Sequence, residues 1–218
     1  MRAIESLEPG KLYHIYNRGI NREDIFREER NYQFFLEKWI EYTSQVIDTF
    51  VYSLLKNHFH FLIRLKEEKV MIQAGNGVEY LADPSRQLSH FFNSYAQSFN
   101  KAYKRTGGLF ENPFKRIVID DETYLRQLVA YIHFNPQRHG FIDDFRLYRH
   151  SSYQKIISVS NKLLTHPQPR QDFQPLTEVS SKSFLMGEEV LEWFDGVEHF
   201  IAFHEEYRET KGFLFEIE

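Results

Sequence analysis

The sequence predicts an α+β fold, one antiparallel sheet with helices on one face and a further helix after it. Three observations lead there. Short runs rich in β-branched and aromatic residues recur at 12–19, 50–57, 58–65 and 115–120. Longer stretches with apolar residues at helical spacing fall between and after them. Two of the runs abut at the polar pair Lys56-Asn57, a plausible hairpin turn.

LYHIYNRG (12–19) reads as the first strand and ends on a glycine. From 28 to 48, Tyr32, Phe35, Leu36, Trp39, Ile40 and Thr43 recur at helical intervals, which predicts a long amphipathic helix. FVYSLLKN and HFHFLIRL then form the hairpin. The polar, glycine-containing text of 66–81 reads as an exposed loop with weak structure. Asp83-Pro84 supplies a cap and a first-turn proline for a helix to about Arg105. KRIVID (115–120) is the fourth strand, and Asp120 or Asp121 caps the next helix, expected to stop near Asn135 because Pro136 disfavours helical geometry in the residue before it. The order β-α-β-β-α-β is that of a ferredoxin-like sheet. A Ser-, Pro- and Gln-rich stretch beyond about 150 reads as a linker, and 187–211 as an acidic amphipathic helix. The expected organisation is one α+β domain over 1–155 with a linker and helical extension over 156–218. The extension's Trp193, Phe194, Phe200 and Ile201 either dock on that domain or form an oligomer contact.

No apolar run approaches the ~20 residues that span a bilayer, and the first residues lack a secretory-signal pattern, so a cytoplasmic protein without a membrane partner is expected. With no cysteine in 218 residues, disulfides, thiolate metal sites and a cysteine nucleophile are excluded. The net charge of −4 argues against a nucleic-acid partner only until it is divided. Residues 1–150 carry 21 Lys and Arg against 19 Asp and Glu, whereas 151–218 carry 6 against 12. Within 101–116, Lys101, Lys104, Arg105, Lys115 and Arg116 face a single acid, Glu111, a candidate basic patch.

Strand alternation projects His58 and His60 to one side and Phe59 and Phe61 to the other. Two imidazoles so placed can share a divalent cation, or can be ordinary hydrogen-bonded histidines on a sheet face. Tyr131 and Asn135 in YIHFNP are four residues apart, on one helical face. An amide oxygen can complete a site of the Mg²⁺ or Mn²⁺ type, and a phenol beside it can attack phosphorus. A core tyrosine and a helix-terminating Asn-Pro explain the same residues.

Taken together, YHIYNRGINREDIF (13–26), LLKNHFHFLI (54–63), FNKAYKRTGGLFENPFKRIVID (99–120), YLRQLVAYIHFNPQRHG (124–140) and HSSY (150–153) resemble the HUH-type single-strand DNA transposases with one catalytic tyrosine, most closely the REP-associated tyrosine transposases. The resemblance runs in order over about residues 10 to 155 and does not cover the tail. It implies that His58 and His60 bind a catalytic Mg²⁺ or Mn²⁺, that Asn135 stands where related enzymes place a polar third ligand, and that Tyr131 is the nucleophile on the helix after the fourth strand. Tyr124, seven residues earlier, faces the same side; only the match to YIHFNP prefers Tyr131. It further implies single-stranded or hairpin DNA as substrate and a 5′-phosphotyrosine intermediate.

For phosphate contacts the candidates are Asn17 and Arg18 at the end of the first strand and the basic cluster from Lys101 to Arg116. His133, about 200° round the helix from Tyr131, points away and is structural. A homodimer and a monomer fit equally. Two other readings stand beside strand transfer: a domesticated hairpin-DNA-binding protein with little or no cleavage activity, and an RNA-binding ferredoxin-like module. The absence of a glycine-aromatic strand motif counts against the last.

Overall fold

The computed structural model describes residues 6–73, 77, 79–163 and 184–210. Four strands, β1 (Leu12–Arg18), β2 (Ile47–Leu55), β3 (His58–Leu65) and a later strand at Lys115–Ile119, form an antiparallel sheet. With a two-stranded ribbon of β4 (Met71–Gln73) and β5 (Glu79–Leu81) between them in the chain, the later strand is β6, and the sheet order is β2-β3-β1-β6. This is the predicted ferredoxin-like arrangement. The ribbon lies where a weakly structured loop is predicted. Its strands are three residues each, too short for a period-two pattern to register.

Helices α1 (Glu29–Thr43) and α2 (Pro84–Tyr103) cover one face of the sheet. Phe59 and Phe61 project into that layer: Phe61 stacks on Trp39 with ring centroids 4.0 Å apart, and Phe59 meets Phe35 and Phe92. Trp39, fully buried, donates its indole N–H to Thr49 Oγ1 at 3.0 Å, so the largest core ring leaves no buried donor unpaired. The first helix stops at Thr43, short of the predicted 48. Val46 and Ile47 are buried, and Ile47 pairs with Leu65 at the start of β2; burial on the sheet outweighs continuation of the helical pattern. β2 carries a bulge between Thr49 and Val51, after which Ser53 lies opposite His60.

Asp83 caps α2 as predicted, its carboxylate accepting from Ser85 N at 2.8 Å, with Pro84 in the first turn. We expect Asp83→Ala to cost about 1 kcal/mol and to lower the melting temperature by about 2–4 °C; an unchanged melt would show that the cap contributes nothing. At the end of β1, a Cβ on Gly19 would fall 2.1 Å from the Glu23 carbonyl oxygen. Only glycine admits the tight return of the chain there.

On the opposite face lies α3 (Glu122–Arg138), capped by Asp121. It does not stop at Asn135. Pro136 is accommodated inside the last turns, where its missing N–H costs one backbone bond, and the helix closes with His139 N donating to Asn135 O at 3.0 Å. Residues 150–152 line the free edge of β2 through Leu54 N to His150 O and Ser152 N to Tyr52 O, and Met186 N bonds Thr49 O farther along. An exposed edge is thereby covered.

α4 (Tyr153–Leu163) occupies the beginning of the stretch predicted as a linker; 164–183 lie outside the described residues. The predicted single helix from 187 is two, α5 (Gly187–Glu192) and α6 (Val197–Thr210). Asp195 and Gly196 adopt φ of 57° and 113°, left-handed geometry that breaks a helix. Phe194 and Phe200 are buried, Trp193 packs on Phe50, and Ile201 stays exposed. Arg64 holds α5 through Glu189 at 2.6 Å and also pairs with Asp48 of β2 at 3.1 Å. Among the described residues no helix is long and apolar enough to cross a membrane.

Candidate active site

The antiparallel register places Lys115, Tyr16, His60 and Ser53 in one row across four strands, and Arg18, His58 and Leu55 in the row beside it. Residues in a row share a face, so both histidines look toward α3. From α3, Tyr131 and Asn135 look back. His58 Nε2 lies 3.0 Å from Asn135 Oδ1, and the Tyr131 ring stands edge-on to His60 with centroids 5.7 Å apart. The four residues named from two motifs 70 residues apart are thus brought together. They are also enclosed, with His60 and Tyr131 each 1% exposed, Asn135 at 0% and His58 at 8%.

Burial sets the protonation of the imidazoles. His60 is held well below its ordinary pKa, chiefly by desolvation and then by its neighbours His14, His58, His139 and Arg138. A neutral imidazole is the form that ligates a metal. His60 Nε2 is buried and has no hydrogen-bond partner among the described residues, a lone pair or N–H without an acceptor or donor of its own. His58 Nδ1 lies 2.7 Å from Asn57 Oδ1 and its Nε2 3.0 Å from Asn135 Oδ1; a neutral imidazole donates to one of these oxygens, and ligation through Nε2 needs the N–H on Nδ1, toward Asn57. Neighbouring donors about 2.1 Å from an octahedral ion lie about 3.0 Å apart, the spacing of His58 Nε2 and Asn135 Oδ1. Among the described residues no group of three or more His, Cys, Asp or Glu side chains is disposed around a metal. The donor set that fits a divalent cation is two imidazoles and an amide.

The predicted phosphate contacts separate into two groups. Arg18 and Lys115 are on the histidine face, Arg18 paired with Glu111 at 2.7 Å and Lys115 exposed. Asn17 projects to the other face and is 4% exposed; its amide donates to Glu111 O at 3.0 Å and accepts from Arg18 N at 2.9 Å. That engages both ends of the side chain in holding the chain at the end of β1. Arg116 lies over the Phe114 ring, while Lys101, Lys104 and Arg105 follow α2 on the far face, Arg105 bonded to Glu23 at 2.6 Å. A cluster contiguous in sequence is split because adjacent strand residues point to opposite faces.

Two residues at the site escape the sequence reading. Arg138, whose guanidinium lies 5.7 Å from the Tyr131 ring centroid, is seven residues past Tyr131 and three past Asn135, a spacing that was available as a signal. His14 is the other: its Nε2 lies 3.0 Å from His60 Nδ1. Tyr124 is half-buried, its phenol pKa raised by burial and by Tyr16. His133, as expected, points away from the site, to Ser152 and His204.

No protein-family model matches the chain. Over 112 residues it is 24% identical to a "Putative REP-associated tyrosine transposase" of Haemophilus influenzae, a match that takes in 50% of this chain and 61% of that protein's length. In three dimensions it is similar to a REP-associated tyrosine transposase solved bound to a REP hairpin, with a TM-score of 0.55 and 16% identity, over 83% of this chain and 99% of that one. The chain is therefore similar in overall fold to a REP-associated tyrosine transposase.

Proposed function

We propose that the protein is a divalent-metal-dependent DNA strand transferase of the HUH type, acting on single-stranded or hairpin DNA through a 5′-phosphotyrosine. The observation that carries this reading is the convergence of His58, His60 and Asn135 with the Tyr131 ring on one face of the sheet. The relative of similar sequence is described as a tyrosine transposase, and the solved neighbour holds a hairpin.

In this reading His58, His60 and Asn135 hold Mg²⁺ or Mn²⁺. When bound, that ion draws charge from a non-bridging phosphate oxygen. The remaining work falls to the chain. Arg138 and Lys115 attract the phosphodiester to the histidine face, and Arg18 follows when DNA competes for its pairing with Glu111. The Tyr131 oxygen, losing its proton, forms a bond to phosphorus as the bond to the 3′ oxygen breaks, and the leaving oxygen takes up a proton as a 3′-OH. Attack by another 3′-OH reverses the step and releases the phenol, which gives strand transfer without hydrolysis. Tyr131 is enclosed in the free chain, so the phosphate reaches it only after the side chain or the end of α3 shifts.

The test is incubation with a single-stranded hairpin oligonucleotide. With Mn²⁺ a denaturant-resistant protein–DNA adduct at the 5′ end of the cut is expected, and none with EDTA; adduct formation in EDTA would refute the metal dependence. The burial of Tyr131 favours one alternative, a hairpin-binding protein that does not cleave. Tight hairpin binding with no adduct under any metal would establish it.

A further inference from the structure

We propose that His14 is a positioning residue for the metal site, selecting the tautomer and ring orientation in which His60 ligates. The inference rests on the assignment of His58, His60 and Asn135 as ligands and extends it to a residue 46 positions away in sequence.

His14 is on β1, two residues from Tyr16, and the register sets it beside His60 on the histidine face. Its Nε2 and the His60 Nδ1 are 3.0 Å apart in a fully buried setting. Two ring nitrogens at that distance share one proton. If His14 Nε2 holds the proton, His60 carries its own on Nε2 and cannot ligate through that atom. If His60 Nδ1 holds it, His60 Nε2 presents its electron pair to the space facing Tyr131, and His14 must be the Nδ1–H tautomer. Metal binding thus requires His14 to accept. Asn57 Oδ1 stands in the same relation to His58 Nδ1, so each imidazole of the pair has a partner on Nδ1 when Nε2 is turned to the ion.

Packing fixes the plane as well. Tyr16 stacks on His14 with centroids 4.8 Å apart and lies over His60 at 5.6 Å, the rings of His14 and His60 being 19° from parallel. Tyr131 closes the stack edge-on to both. His60 therefore has little freedom to rotate, and the hydrogen bond to His14 decides which of its nitrogens faces outward.

The test is Mn²⁺ affinity of the metal-free protein, read from the electron paramagnetic resonance of free Mn²⁺, without DNA. His14→Phe keeps a stacking ring and removes the acceptor; its affinity should fall about 10- to 100-fold. His14→Gln restores an acceptor oxygen and should recover most of that loss, which a packing role would not. Wild-type affinity in His14→Phe, or equal losses in the two variants, overturns the proposal. His58→Ala and His60→Ala run in parallel, and binding unchanged in these would refute the ligand assignment itself.

Discussion

Tyr131→Phe should abolish the covalent DNA adduct while leaving hairpin affinity unchanged. The substitution deletes one hydroxyl and keeps the ring, whose edge-on contacts with His14 and His60 hold the face of α3 against the sheet. Binding, which draws on cationic groups along a wider surface, does not depend on that oxygen. Tyr124→Phe should retain the adduct. Helical phase does not distinguish the two tyrosines, since seven residues make nearly two full turns, but that distance is also about 10 Å along the axis. Asn135 Oδ1 lies 3.0 Å from His58 Nε2, and Tyr131 is one turn before it, so Tyr124 lies two turns farther from the histidines. Tyr124 instead neighbours Tyr16 and Tyr207. Adduct surviving in Tyr131→Phe and lost in Tyr124→Phe would reverse the assignment.

What the sequence disclosed was whatever a single segment decides. The hairpin at Lys56-Asn57, the projection of His58 and His60 to one side, the Asp83 cap and the order of strands all follow from local patterns, and the structure has them. What stayed hidden required knowing which segment pairs with which. His14 is invisible beside His60 until β1 is laid on β3 in a register that sets Tyr16 opposite His60, and strand register is a tertiary property. The basic cluster failed as one patch for the same reason: α2 and β6 are neighbours in sequence but put most of their cations away from α3. The misplaced ends have local causes that were present and outweighed. Asp195-Gly196 is a turn pair inside a helical pattern, and Pro136 is tolerated because a proline near a helix end removes only one bond from a helix otherwise buried.

Acid should destabilise the protein progressively as the pH falls from 6.5 toward 4, through a polar chain that fastens the tail to α3. His204 Nδ1 is 2.7 Å from the Phe200 carbonyl, which makes that nitrogen the donor. His204 Nε2 then accepts from His133 Nδ1 at 2.9 Å, and His133 Nε2 accepts from Ser152 Oγ at 2.8 Å. Ser152 in turn accepts from Tyr52 N at 2.9 Å. The Ser152 hydroxyl also has the Tyr52 carbonyl as an acceptor at 3.3 Å, so it can turn; an added proton on His204 Nε2 cannot be so relieved, because it sets two N–H groups against each other. Desolvation pushes His204 down to about 4 and His133 well below its usual value, with His204 a further cause for the latter. Because the unfolded histidine protonates near 6.5, the unfolded state binds more protons below that pH. Stability is therefore complete above 6.5 and falls as the pH drops toward 4, by on the order of 3 kcal/mol for His204 alone. His14, pushed down to about 3, adds in the same direction. Urea unfolding at a series of pH values reads this slope. His204→Leu should lose about 1–3 kcal/mol at pH 7.5, by stranding the His133 N–H, and show a shallower decline below 6.5; an unchanged slope would place the acid sensitivity elsewhere. His133 lies two residues from Tyr131 on the opposite side of α3, so the same chain that fastens α6 also fixes the rotation with which α3 presents the phenol to His60.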